Sequence, residues 1–374
     1  MSLLARSKRG NCYLVLIMYH KLKKKPNRAK ERITNTFSRI FLSALFIISF
    51  FYTSPILINF ADKNFKNKEF TNNSKNILNN ALNKDNQSEE KDNYIKNNEM
   101  DLLYDILEEN NSEINLVRYT TSEINALFEE VKYNLQEVRN TKLVKPIDIG
   151  LLPKEIDKIK STKKRKEIFI KIVLPLIVKE NNKIRIDRKR FFAILSKNSN
   201  TDIEKKWLEK KYKQYGVRQN DILTLKIRMD EIPVSLAIAQ AAKETGWGTS
   251  RFALKGNALF GQWTWSGEGL KPKKAKKGEE HKVMKFYSLQ LSVRAYLRNL
   301  NTHSSYKNLR KVRTDLRNKN KSLDSLILSK HLDKYAETGN EYVEVLQKII
   351  TQNNLKDFDD AKLLPSSKDL ESLI

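Results

Sequence analysis

The residues with the clearest potential for chemistry lie in one stretch, AAKETGWGTSRFALKGNALFGQWTW, from Ala241 to Trp265. It contains a single carboxylate, Glu244, and three of the four tryptophans of this 374-residue chain. Pro233 suits the first turn of a helix and Gly246 suits the left-handed residue that follows one, so we expect Glu244 in the last turn of the helix between them. The negative end of the helix dipole and a nearby Trp247 both disfavour the ionised carboxylate. These residues predict a carboxylic acid that keeps its proton near neutral pH.

A proton donor of this kind can protonate the departing oxygen when a glycosidic bond breaks. The alternative is a surface glutamate at a helix end, stabilised by Lys243 or Arg251. The residue types of this stretch leave both interpretations open.

The longer stretch EIPVSLAIAQAAKETGWGTSRFALKGNALFGQW resembles the catalytic segment of the peptidoglycan-cleaving glucosaminidases of glycoside hydrolase family 73. It is most similar to their Bax-type branch, in which acid–x–Gly–Trp–Gly–x–Ser–x–x–Ala precedes Asn–x–Leu–Phe–Gly. The matching positions here are Glu244, Gly246, Trp247, Gly248, Ser250, Ala253, Asn257, Leu259, Phe260 and Gly261. The resemblance covers roughly Glu155 to Ile350, including FIKIVLPLIVKENN, FYSLQLSVRAYLRNLNTHSSYKNLR and KYAETGNEYVEVLQKII.

The resemblance implies that Glu244 is the general acid and that the surrounding residues bind amino sugars. We expect the amides to hydrogen-bond N-acetyl or hydroxyl groups, the rings to stack on sugars, and a late tyrosine to face the acid. The predicted substrate-binding residues are Trp247, Asn257, Phe260, Gln262, Trp263, Tyr335 and Tyr342. Core packing is an equal alternative for Trp247 and Phe260. Gly246, Gly248 and Gly261 are expected to serve backbone geometry or close approach.

Glycosidases usually use a second carboxylate. The predicted β-lobe offers Glu280 and then Glu268 as candidates. The Bax-type branch often carries an acid after the histidine of its second strand, where this chain has Lys282. That difference leaves assistance by the acetamido group of the substrate as a rival scheme.

The elements that must position these residues are mainly helical. The family implies a lysozyme-like helical domain with a small β-hairpin lobe, and FGQWTW and HKVMKFY alternate as short strands would. Upstream, TTSEINALFEEVKYNLQEVR reads as one amphipathic helix. STKKRKEIFIKIVLPLIVKENNKI, RIDRKRFFAILSK and TDIEKKWLEKKYKQYG read as three more helices.

Before the helical region, residues 40–61 form a run of 22 uncharged residues, long enough for a transmembrane helix. The basic flank before it predicts a cytoplasmic N-terminus with the rest of the chain outside. The Bax-type resemblance implies that the outside compartment is the periplasm, so we expect an inner-membrane, single-pass protein with a periplasmic catalytic domain. A cleaved signal, which would release the protein to the periplasm, is the alternative. The predicted divisions are a basic tail at 1–39, the anchor or signal at 40–61, a disordered linker at 62–100, a helical region at 101–229, the catalytic domain at 230–355 and a tail at 356–374.

Composition excludes several other functions. The net charge is +27, but no nucleic-acid-binding motif accompanies it, and the N-terminal 39 residues carry eleven of the basic groups. One cysteine and four scattered histidines predict no metal site, and no cofactor motif occurs. The predicted function is hydrolysis of the β-1,4 bond after N-acetylglucosamine in peptidoglycan, with glycan strands and the inner membrane as partners. The alternatives are a lytic transglycosylase or a non-catalytic wall-binding scaffold, and the sequence gives no oligomeric state.

Overall fold

The computed structural model describes residues 106, 116–264, 269–272 and 282–365, all within one compact unit, Leu78–Ile374. The predicted basic tail, anchor and linker at 1–100 lie outside these residues, as do 366–374. None of the helices that the structure describes has the length and apolar character needed to cross a bilayer.

The described part of the chain is mainly helical, and this architecture fits the predicted lysozyme-like domain. The α-helices are α1 Thr121–Glu130, α2 Leu135–Thr141, α3 Thr162–Leu195, α4 Asp202–Gln214, α5 Ile222–Arg228, α6 Val234–Thr245, α7 Arg251–Gly256, α8 Leu289–Thr302, α9 Lys307–Asn318, α10 Ser325–Ser329 and α11 Asn340–Gln352. The strands are β1 Leu143–Val144, β2 Trp263–Thr264, β3 Gly269–Leu270, β4 Lys282–Met284 and β5 Lys362–Leu363. Short 3-10 helices occur at Ile156–Lys158, Ser304–Tyr306 and Leu355–Phe358.

The stretch TTSEINALFEEVKYNLQEVR was predicted as one helix, but the structure divides it between two helices, α1 and α2. The chain leaves the helical path after α1, with Lys132 at φ 52°, and α2 begins after Asn134, whose side chain accepts a hydrogen bond from the Gln136 amide. Thr120 and Glu123 form a reciprocal capping box at the start of α1. The local caps therefore override an apolar spacing that would allow one long helix.

The two helices predicted between 161 and 197 are a single helix, α3. It runs through Pro175 for 34 residues, and its central turns from Ile168 to Val178 are almost entirely buried. A polar stretch around Asn181 separates the two apolar runs in the sequence, but Asn181 is itself buried. Its side chain pairs with both backbone groups of Ile232. Tertiary hydrogen bonds thus satisfy a polar residue that suggested a boundary.

One hydrophobic core extends from Ile124 to Ala361, with α3 and α6 at its centre. Helix α6 packs against α3, α10, α11 and the 3-10 helix at Leu355–Phe358. This core includes residues on both sides of position 229, where the sequence predicted the boundary between the helical region and the catalytic domain. The boundary itself stays a prediction.

A three-stranded antiparallel sheet in the order β2–β4–β3 forms the small lobe, and it confirms the strands predicted in FGQWTW and HKVMKFY. Trp263 pairs with Val283 and Gly269 pairs with Met284. A separate parallel pair joins β1 to β5, with Leu143 opposite Lys362.

The structure differs from the predicted tail at 356–374, because residues up to 365 fold onto the core. Phe358 and Ala361 are buried. Asp359 accepts hydrogen bonds from the backbone N–H of Ser235, at 2.8 Å, and from its hydroxyl, at 2.9 Å. This segment therefore secures the first turn of α6.

Candidate active site

Helix α6 carries Glu244 at its C-terminal end, as predicted. Pro233 precedes the first helical residue, and Gly246 closes the helix in the left-handed conformation at φ 58° and ψ 42°. The Gly246 N–H donates to the carbonyl of Ala242. The residues of α6 from Val234 to Ala242 are buried, Lys243 is exposed and Glu244 is half-buried, so Glu244 lies where a buried helix reaches the surface.

The chain after Glu244 contains three consecutive residues with positive φ: Gly246 at 58°, Trp247 at 61° and Gly248 at 86°. A Cβ on Gly248 would lie 3.0 Å from both Ile156 and Phe169. The Trp247 ring meets the Phe169 ring edge-on, with centroids 5.9 Å apart. This turn confirms the predicted backbone roles of the glycines, and it directs Trp247 toward α3.

Gly261 brings the β-lobe strand onto the carboxyl of Glu244. Its φ is 62°, and a Cβ built there would lie 3.2 Å from Glu244 Oε2. Any side chain would crowd the carboxyl. The sequence predicted backbone geometry or close approach at Gly261; the structure shows both, and the group approached is the carboxyl of Glu244.

Burial raises the pKa of Glu244 above its ordinary value of 4.5. A hydrogen bond from Tyr342 and the charge of Lys243 oppose this shift and lower the pKa. Desolvation is the largest of these effects, so the pKa shifts in the direction that the predicted proton donor requires. Of the alternative, a surface glutamate stabilised by Lys243 or Arg251, the Lys243 charge is present, but it is the smallest of the three effects on this pKa.

Three tyrosines surround Glu244, and burial raises the pKa of each hydroxyl well above 10. Tyr342 hydrogen-bonds the carboxyl, and its ring stacks on Tyr335 with centroids 5.5 Å apart. The Tyr335 hydroxyl donates to the Phe260 carbonyl at 2.7 Å. The third, Tyr296, was missed by sequence reasoning because its position in α8 fits an ordinary buried helix face. These hydroxyls remain protonated donors at neutral pH.

Asn257 and Phe260 take structural positions. The Asn257 amide donates to the carbonyls of Phe286, at 2.9 Å, and Tyr287, at 3.2 Å, so it holds the end of the lobe. The Phe260 ring is 1% exposed and stacks on Tyr296 at 3.8 Å. The predicted sugar-stacking role of Phe260 is therefore replaced by the packing alternative. A substrate contact by Asn257 stays a prediction.

Gln262 and Trp263, unlike Asn257 and Phe260, have polar atoms or ring surface available for a ligand. Gln262 is 7% exposed, and within the described chain neither polar atom of its side chain has a hydrogen-bond partner. Trp263 is 47% exposed on β2, and Tyr287, which sequence reasoning did not single out, is 52% exposed after β4. The lobe thus presents two aromatic rings and an unsatisfied buried amide beyond Gly261.

The two candidates for the second carboxylate, Glu268 and Glu280, lie outside the described residues. Trp265 lies outside them too. No cluster of three or more His, Cys, Asp or Glu side chains suited to a metal ion occurs in the part of the chain that the structure covers.

A cavity of about 320 Å³ lies elsewhere, between α3, α4 and α8. Two ion pairs lie in its wall, Glu180 with Arg294 at 3.2 Å and Lys211 with Asp187. Neither Glu244 nor the tyrosines around it line this cavity. The acid site and this cavity are therefore different places.

Comparison with known proteins finds matches to the part of the chain that contains Glu244. Residues 220–355 match the sequence model of the glucosaminidase family, described as mannosyl-glycoprotein endo-beta-N-acetylglucosaminidase. The chain is similar to Protein bax of Escherichia coli (strain K12), with 31% identity over 194 residues that cover 50% of this chain and 69% of the relative. No solved structure matches significantly. The matched range contains Glu244, Gly261 and the three tyrosines.

Proposed function

Because this chain is a Bax-type member of the glucosaminidase family, we propose that it hydrolyses the β-1,4 bond after N-acetylglucosamine in peptidoglycan, with Glu244 as general acid. The single observation that supports this role is the environment of Glu244. Burial raises the pKa of its carboxyl, and Tyr342 forms a hydrogen bond with it. The carboxyl also lies against Gly261, where a Cβ would come within 3.2 Å of Oε2.

The proposed chemistry follows from the two opposing effects on Glu244. Burial favours the protonated form before reaction, so the carboxyl can donate a proton to the departing sugar oxygen. Tyr342 then stabilises the carboxylate that remains, because its hydrogen bond favours the charged form. One turnover requires Glu244 in both protonation states, and the site stabilises each of them: burial stabilises the protonated carboxyl, and Tyr342 stabilises the carboxylate.

Gln262 and Trp263 are the proposed substrate contacts. An acetamido group offers one N–H and one carbonyl, and the Gln262 amide offers a complementary acceptor and donor that lack protein partners in the described chain. The exposed Trp263 ring supplies a flat apolar face for a sugar. Both follow Gly261 directly along the chain, next to the acid.

We further propose that Glu280, or else Glu268, supplies the second carboxylate. If the substrate's acetamido group takes this part instead, Glu280→Gln and Glu268→Gln will each retain activity. Loss of turnover in one variant with unchanged binding identifies the second acid.

The test of the proposed function is digestion of purified peptidoglycan by the wild-type protein and by Glu244→Gln. We expect the substitution to abolish release of soluble fragments while the protein still binds the glycan. Glu344→Gln, an exposed glutamate on α11, is the matched control and should leave activity unchanged. Equal digestion by Glu244→Gln and wild type would remove Glu244 from the mechanism.

Mass spectrometry of the fragments distinguishes the remaining alternatives. Hydrolysis adds water and leaves reducing N-acetylglucosamine ends, whereas a lytic transglycosylase leaves anhydro-muramyl ends. Binding without release of fragments by any form of the protein would indicate a non-catalytic scaffold.

The membrane placement is a separate proposal that is based on the sequence of residues 40–61. We propose that this run anchors the protein in the inner membrane with the catalytic region in the periplasm. Membrane fractions washed at alkaline pH should retain the full-length protein. Recovery of a shortened chain in the soluble periplasmic fraction would indicate a cleaved signal instead.

A further inference from the structure

Hydrogen bonds connect three side chains in series to Glu244. The Tyr296 hydroxyl donates to Gln240 Oε1 at 2.6 Å, and Gln240 Nε2 donates to the Tyr342 hydroxyl oxygen at 3.0 Å. Tyr342 in turn bonds the Glu244 carboxyl. The series joins α8, α6 and α11, and it ends at the proposed acid.

We propose that Tyr296 and Gln240 are positioning residues that keep the Tyr342 hydroxyl proton directed at Glu244. This inference rests on the proposed function of Glu244. A primary amide has one acceptor end and one donor end, and a hydroxyl has one proton. Because Tyr296 donates to Oε1 of Gln240, the amide presents its donor to Tyr342. The Tyr342 oxygen accepts that bond, and its one proton is left for Glu244.

Reversal of the amide would break this order. Gln240 would then offer its oxygen to Tyr342, whose proton would turn away from Glu244. The Tyr296 hydroxyl opposes reversal, because its oxygen could accept from a reversed amide but its buried proton would lose its acceptor, Gln240 Oε1. Tyr296 therefore acts on the acid through two intervening side chains.

Packing holds the series in place. Gln240 and Tyr296 are fully buried and Tyr342 is 2% exposed, which leaves little access for competing water. The Tyr296 ring stacks on Phe260, and the Tyr342 ring stacks on Tyr335. The rings cannot swing away from the amide without disrupting these stacked pairs.

The groups facing Glu244 come from several elements. They are Lys243 on the same helix, Tyr296 from α8, Tyr342 from α11 and Tyr335 from the segment before α11. The tyrosines stay neutral at ordinary pH because burial raises their pKa values. The Tyr342 bond lowers the pKa of Glu244, so its loss raises the pKa. A general acid with a higher pKa keeps its proton to a higher pH, which moves the basic limb of the pH–kcat profile upward.

The test is the pH dependence of kcat for Tyr296→Phe, which removes the hydroxyl and keeps the ring that stacks on Phe260. We expect the basic limb to move up by about 0.5–1 pH unit, with kcat at the optimum reduced several-fold and KM unchanged. Tyr133→Phe is the matched control, because the Tyr133 hydroxyl is buried and has no hydrogen-bond partner in the described chain. Its profile should coincide with that of the wild type.

A basic limb at the wild-type position in Tyr296→Phe overturns the proposal, whatever happens to the overall rate. Gln240→Met removes both ends of the amide at similar size, and it must shift the limb in the same direction. Thermal unfolding of each variant verifies that it is folded. If Glu244→Gln is inactive but neither variant shifts the limb, the positioning role fails while the proposed function stands. If Glu244→Gln is active, the proposed function itself fails.

Discussion

At the scale of single residues, the proposed chemistry depends on how the fold balances the charge on Glu244. Burial and the end of α6 favour the neutral acid, whereas Tyr342 and Lys243 favour the carboxylate. A general acid works when protonated, so activity depends on which side of this balance prevails at a given pH.

We expect kcat to fall about tenfold per pH unit above the pKa of Glu244, and that pKa to lie above 4.5. The sign follows from the protonated form being the active one, since raising the pKa extends activity toward neutral pH. The measurement is the initial rate of cleavage of a soluble chitooligosaccharide across the pH range. A rate that already declines from about pH 4.5 would show that burial leaves the acid unperturbed.

Gly261 and Gly246 provide a matched pair for testing close approach. Both have left-handed backbones, at φ 62° and 58°, so alanine should cost each about 1–2 kcal/mol of stability. A Cβ at position 261 meets Glu244 Oε2, whereas one at position 246 meets Thr249 Oγ1. We therefore expect Gly261→Ala to lower kcat by about 10–100-fold and Gly246→Ala to lower it much less. Equal losses of kcat in two folded variants would contradict the contact with Glu244.

Sequence reasoning identified Glu244 and the glycines because each has a local reason for its type. Pro233 and Gly246 mark the helix ends, and Gly261 lies in a short recognisable motif. It could not identify Gln240 or Tyr296 as a pair, because 56 positions separate them and both fit ordinary buried helix faces. The role of Phe260 was also open, since a buried ring and a sugar-binding ring have the same sequence signal.

At the scale of elements, helix α6 is fixed independently at its two ends. Asp359 holds the first turn through the Ser235 N–H and hydroxyl, and Gly246 ends the last turn. The capping of α6 by Asp359 was not predictable from the sequence, because Asp359 lies in a polar stretch that resembles a C-terminal tail. The residue spacing around Ser235 gives no indication of a capping residue that lies 124 positions later in the chain.

Asp359→Ala should destabilise the protein by about 1–2 kcal/mol, because it leaves the Ser235 amide at the start of α6 without its capping acceptor. Urea unfolding measures the change. Asp360→Ala, an exposed neighbour, should have almost no effect. If the two variants unfold at the same urea concentration, the hydrogen bonds to Ser235 do not stabilise α6.

At the scale of the whole molecule, a buried cluster of charged residues joins α5, α8 and α9. The Arg313 side chain is inaccessible to solvent and donates to the carbonyls of Ile227 and Glu231 and to Asn301 Oδ1. Asp230, which is 3% exposed, receives a bond of 2.9 Å from Arg317. Burial lowers the pKa of Arg313 to about 10, so this guanidinium is still charged at neutral pH.

Arg313→Met should reduce the free energy of unfolding by about 3–5 kcal/mol, because Asp230 and several carbonyls lose a buried partner. Lys311→Met, two residues away and exposed, is the control and should change it little. Denaturant titration of both variants measures the difference. A small effect of Arg313→Met would mean that the remaining arginines compensate for the missing charge.

The pairing of β1 with β5 also bears on how the protein is made. These strands lie near opposite ends of the described chain, and Asp359 lies just before the second of them. A nascent chain on the ribosome therefore cannot close this pair, or cap the acid-bearing helix, until almost all of the fold has been translated. The helix that carries the proposed acid is thus complete only when the segment around Asp359 has joined the fold.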